Sequence, residues 1–123
     1  MHERDEQLRL APSPELQRQY DMAFQDMLRQ PADLEVLFKF AKLATEVGDL
    51  EGAISSLERM LLIDPDLPQV KLELGVLYYR LKSYDVAVAY LQKALNSPTL
   101  PQELRPRAEQ VMARAEKRVR RSQ

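Results

Sequence analysis

The chain has 123 residues, enough for one small domain with a modest core, and its 45% hydrophobic content is sufficient to fold one. It has no cysteine and a single histidine, His2, so a disulfide framework and a thiolate site are excluded, and the usual zinc sets and nucleophile–base pairs lack their residues. The formal net charge of −1 conceals an asymmetry: residues 1–66 hold 7 Lys/Arg against 14 Asp/Glu, and residues 67–123 hold 11 against 5.

Residues 1–12 are polar and aperiodic and read as a disordered lead-in. Met-His-Glu-Arg-Asp-Glu has no apolar core segment and is not a signal peptide. No apolar run reaches the 18 or so residues that a membrane span needs. Ser13 can cap a helix whose first turn takes Pro14, and Leu16, Tyr20, Phe24, Met27 and Leu28 form one stripe at helical spacing until Pro31. This flanking helix is predicted over residues 14–30.

Asp33 can cap the next helix. Leu34, Leu37, Phe38, Phe40, Ala41, Leu43, Ala44 and Val47 fill more than one of its faces, which predicts neighbours on two sides. Gly48 suits the left-handed position after a helix, and Asp49 can cap a second helix carrying Leu50, Ala53, Ile54, Leu57, Met60 and Leu61. Pro68 opens a similar pair. Its first stripe is Val70, Leu74, Leu77, Tyr78 and Leu81. Ser83 can cap the next, which holds Tyr84, Ala87, Val88, Leu91, Ala94 and Leu95 and stops before Pro98. Beyond Pro101 the spacing predicts a short turn over 101–105 and a helix over 106–120, with Leu104, Ala108, Val111, Met112, Ala115 and Val119 on its apolar side.

The two pairs repeat at an offset of 34 residues: Phe40 recurs as Leu74, Ala41 as Gly75, Ala53 as Ala87, Leu57 as Leu91 and Met60 as Ala94. One helix pair per period of this length marks a stacked-helix array. The small residues Ala41/Gly75 and Ala53/Ala87 fall where the helices of a pair approach most closely. The pattern resembles the tetratricopeptide repeat, with units over 34–67 and 68–100. Departures are Leu37 and Lys71 at a position that is usually aromatic, Ala44 where tyrosine is common, and Pro98 one residue early. The resemblance implies an all-α, tandem helix-turn-helix domain over 13–121, of about two and a half repeats. The helix at 14–30 would be the lone second helix of a preceding unit, and the last helix a charged cap.

Residues 23–28, 48–54 and 67–78 also resemble one proteobacterial group. In that group a periplasmic repeat region precedes an outer-membrane β-barrel, as in proteins similar to surface-lipoprotein assembly modifiers. That resemblance implies a periplasmic arm of an assembly or export system. The alternative is a free-standing cytoplasmic adaptor or a self-assembling scaffold.

In the repeat family the first helices of successive units line a concave groove. This implies a peptide-binding site at Phe38, Lys42, Thr45, Gln69, Leu72, Val76, Tyr79 and Arg80, where aromatics and arginine are the types enriched in binding hot spots. The carboxylate clamp of chaperone-tail binders is poorly matched, since only Lys42 is basic and Glu73 would repel. No cofactor or metal is expected, and no enzymatic activity. Arg105, Arg107, Arg114, Lys117, Arg118, Arg120 and Arg121 are interrupted by Glu109 and Glu116 and have no aromatic beyond Tyr90. They read as a solvated cap with cations opposing the helix dipole, not as a nucleic-acid surface. The charge asymmetry predicts a monomer, or a weak homodimer that forms head to tail at low salt.

Overall fold

The computed structural model describes residues 11–122, and these are all-α apart from their connections. The elements are α1 (Pro14–Arg29), α2 (Leu34–Val47), α3 (Leu50–Ile63), α4 (Pro68–Arg80), α5 (Tyr84–Asn96), a 3-10 turn (Gln102–Leu104) and α6 (Arg105–Ser122). Most of the expected lead-in lies outside the described residues. The helices group into two compact units divided between Ile63 and Asp64, close to the expected start of the second repeat.

In the N-terminal unit α2 packs against both α1 and α3. That is why its apolar residues exceed one face: Leu37, Phe40, Ala41 and Ala44 are all buried. The caps follow the local sequence. Ser13 Oγ accepts from Leu16 N at 3.0 Å, Asp33 Oδ1 from Val36 N at 3.1 Å, and Asp49 Oδ1 from Gly52 N at 3.0 Å. α2 ends at Gly48 with φ 91°, where Asp49 N donates to Ala44 O and Gly48 N to Thr45 O. These two bonds absorb carbonyls that the helix end would leave unpaired.

In the C-terminal unit α5 packs against α4 and α6. A Cβ on Gly75 would lie 2.5 Å from Leu91 Cγ and 3.3 Å from Ala87 O, so the α4–α5 approach requires glycine there, as the repeat offset indicates. Leu72, Leu91, Ala94 and Ala108 form the buried centre, with Val76, Leu95, Leu104, Val111 and Met112 against it.

Two local expectations change, and one helix ending was not anticipated. Ser83 stands at the start of α5, but its side chain makes no capping bond. Lys82 adopts φ 65°, with Lys82 N to Tyr79 O and Ser83 N to Tyr78 O, the same ending that Gly48 gives α2. The last helix begins at Arg105, so Pro106 occupies its first turn, where a missing N–H leaves no bond unmade.

Candidate functional site

On α2, Glu35, Phe38, Lys42 and Thr45 follow helical spacing and share a face. Phe38 is half-buried, and the Lys42 ammonium lies over its ring at 5.5 Å from the centroid. An exposed cation–π contact of this kind contributes about 0.5–1 kcal/mol. Thr45 Oγ1 donates to Ala41 O at 2.8 Å. The face therefore presents an aromatic and an adjacent cation, with its one threonine donor already used.

On α4 the expected residues separate. Gln69 and Arg80 are exposed, and Tyr79 is half-buried with its ring edge-on to Tyr84, centroids 5.5 Å apart. Arg118 stacks over the other partner of that contact, 5.5 Å from the Tyr84 centroid. Leu72 is fully buried. It belongs to the core between α4, α5 and α6 and offers no surface to a ligand, because α6 brings Ala108 against the side of α4 that carries it. Val76 packs on the same cluster and is only partly accessible. Glu73, expected to repel carboxylates, is held by Arg107 Nη1 at 3.0 Å.

The C-terminal cations are partly structural. Both terminal nitrogens of Arg105 donate to Leu95 O, at 3.1 and 2.9 Å, satisfying a carbonyl in the last turn of α5. With Arg107 on Glu73 and Arg118 on Tyr84, three of the seven basic residues are engaged within their own unit. No group of metal-ligating side chains occurs among the described residues.

One feature of the N-terminal unit escapes sequence reasoning. A cleft of about 300 Å³ lies between α1 and α3, with Phe40 at its base. Tyr20 and Phe24 pack on Phe40 at 5.4 and 5.9 Å between centroids. Tyr20 Oη donates to Asp49 Oδ2 at 2.6 Å. That bond, with burial and the negative charge of Asp49, pushes the Tyr20 hydroxyl up to about 12. The α1 stripe of Tyr20, Phe24 and Leu28 was the available signal. What it could not show is that α2 covers only part of the stripe.

A tetratricopeptide repeat profile matches residues 44–115, more than half of the chain. The chain belongs to the tetratricopeptide repeat family. No curated protein matches the sequence. Several solved structures share the fold, among them the following. PcrH in complex with the chaperone binding region of PopD has TM-score 0.70 and 15% identity, over 89% of this chain and 82% of that one. The Sgt2 repeat domain from Aspergillus fumigatus has TM-score 0.64 and 16% identity, over 92% and 84%. MamA has TM-score 0.63 and 19% identity, over 82% and 61%. At these identities the likeness is one of fold.

As a tetratricopeptide repeat protein the chain is of a protein-interaction class. Neither the family match nor these structures bears on the resemblance to barrel-linked repeat regions. No described helix is long and apolar enough to cross a membrane. In repeat register, the residue 34 positions after Gly75 is Glu109, which is exposed on α6. A charged residue stands where a second helix would need a small one, which suits α6 to ending an array.

Proposed function

We propose that this protein binds a peptide or protein segment through the outward faces of its first helices. Phe38, Lys42 and Thr45 act on α2, and Gln69, Tyr79 and Arg80 on α4. The observation that carries the reading is the Phe38–Lys42 pair, a half-buried aromatic with an exposed cation over its ring on the same helix. Such an aromatic is already ordered, so contact with a partner costs little side-chain entropy. Tyr79, braced by Tyr84, is similarly preordered on α4. Leu72 is removed from the contact set, and Val76 contributes only its exposed edge.

The fold shared with PcrH supports the reading, since PcrH holds a segment of another protein. Lys42 and Arg80 favour a segment with acidic residues beside its apolar anchors. The test pans a displayed random 16-residue peptide library on the full chain, then measures recovered peptides against Phe38→Ala/Tyr79→Ala. Affinity reduced about tenfold or more, with the helical circular dichroism unchanged, supports the proposal. Recovered peptides indifferent to the double variant, or no recovered peptides, refute it.

A further inference from the structure

We propose that the cleft between α1 and α3 is a second docking site, and that its occupant is an acidic amphipathic helix of a partner protein. Its residues are not those of the proposed first-helix faces.

The cleft is built for apolar side chains. Its α1 wall is Tyr20, Phe24 and Leu28, at i, i+4 and i+8, which spans about 12 Å, or two helical turns. Phe24 is 38% exposed and Leu28 58%, so apolar surface continues from the cleft onto its rim. On the opposite wall the Asp49 carboxylate covers Gly52 and Ser56 is buried, so the room for an entering side chain lies at the exposed Ser55. Ser56 Oγ is occupied, donating to Leu37 O at 2.8 Å, and so does not compete for a ligand. Aromatic and leucine groups facing a small serine across an open cleft match what one helix offers another in ridge-and-groove packing. A helix with apolar residues at i and i+4 would place both in the cleft.

Residues 1–66 are net negative, so the partner's sign is set locally, by the one cation on the cleft rim. Two charged side chains line the cleft, Asp49 and Arg59. Asp49 is satisfied from within: Tyr20 Oη takes one oxygen and Gly52 N the other. Arg59 is exposed and has no hydrogen bond or ion pair among the described residues. It stands ten residues after Asp49, about 15 Å along α3, so the free cation and the satisfied carboxylate are at different places along the cleft. A glutamate or aspartate one turn from the apolar anchors would meet the guanidinium, which suits bidentate carboxylate recognition. The carboxylate would also fix the direction of the bound helix.

The test uses the same displayed library with the 123-residue chain. Recovered peptides are measured against Leu28→Asp and Arg59→Glu, and against Phe38→Ala/Tyr79→Ala. Leu28 and Arg59 are both exposed, so neither substitution removes a core contact, and circular dichroism checks this. The proposal expects peptides with paired apolar residues and nearby carboxylates that bind about tenfold more weakly to Leu28→Asp. It expects Arg59→Glu to reverse the preference, so that Glu-to-Lys versions of those peptides bind it better than the originals. Recovery of peptides sensitive only to Phe38 and Tyr79 refutes this site and leaves the first-helix proposal standing. Peptides sensitive to Leu28 alone, with no response to Arg59, refute the acidic partner. A homodimer in sedimentation that Leu28→Asp dissolves would make a second copy the occupant. Binding that rises tenfold on removal of residues 1–10 would make the chain's own N-terminal segment the occupant. Either result overturns the proposal.

Discussion

Leu72→Ala separates a core residue from a groove residue more sharply than any other substitution in the chain. The leucine is fully buried, and its neighbours Leu91, Ala94 and Ala108 come from two other helices. The substitution deletes three carbons. At about 0.8 kcal/mol per buried carbon the lost transfer energy is about 2.4 kcal/mol. The two alanines among its neighbours cannot extend into the space, so a cavity penalty adds to this, and the total should fall at about 3–5 kcal/mol. A domain of this size has about 5–15 kcal/mol in all, so the variant should unfold at clearly lower urea with an unchanged slope. Gln69→Ala, on an exposed position of the same helix, should stay within about 0.5 kcal/mol of the parent. Below its unfolding transition Leu72→Ala should bind recovered peptides as the parent does. A loss below about 1 kcal/mol accompanied by lost peptide binding would refute the core assignment.

Two helix endings should respond in opposite directions. Gly48→Ala forces a Cβ into a left-handed residue and should cost about 1 kcal/mol, whereas Lys82→Gly relieves the same conformation and should raise stability by up to about 1 kcal/mol, both read by urea unfolding. Equal signs would refute the strain argument. Tyr20 is neutral when it donates to Asp49, and folding raises its ionisation from 10.0 to about 12. Its stabilisation is therefore complete below pH 10 and is lost as pH rises through about 12. The stability difference between the parent and Tyr20→Phe should be constant up to pH 10 and shrink above it; a difference that grows with pH would contradict the hydrogen bond. Self-association, if driven by the opposed charges of the two halves, should be weak at low salt and vanish in about 0.5 M salt, where screening acts over a few ångströms. A tight, salt-resistant dimer in sedimentation would contradict that origin.

The sequence by itself determined what depends on neighbours along the chain. Helix limits follow from apolar spacing and from Pro31, Gly48, Pro68 and Pro98, and the caps at Ser13, Asp33 and Asp49 need only residues three positions away. The offset of 34 residues also identified Gly75 and Ala87 as the close approach, because a repeated hairpin places equivalent residues in equivalent contacts. The family and the interaction class followed from the same pattern. Ser83 shows the limit of such local rules: it has the right residue type at the right place, yet its side chain makes no capping bond.

Only the tertiary structure decided which sides of the helices were covered. Leu72 lies at a position that lines a groove in a continuous array, but α6 brings Ala108 against it and makes it core. Tyr20, Phe24 and Leu28 form one unbroken stripe in sequence. Because α2 covers part of that stripe, Tyr20 can hold Asp49 while Leu28 remains in solvent. Lys82 is left-handed although its residue type disfavours it, since the α4–α5 hairpin needs the same reversal that Gly48 makes between α2 and α3. Periodicity reports that a residue faces a neighbour. Which neighbour arrives, and how much of the side chain it covers, depends on contacts between residues far apart in the chain.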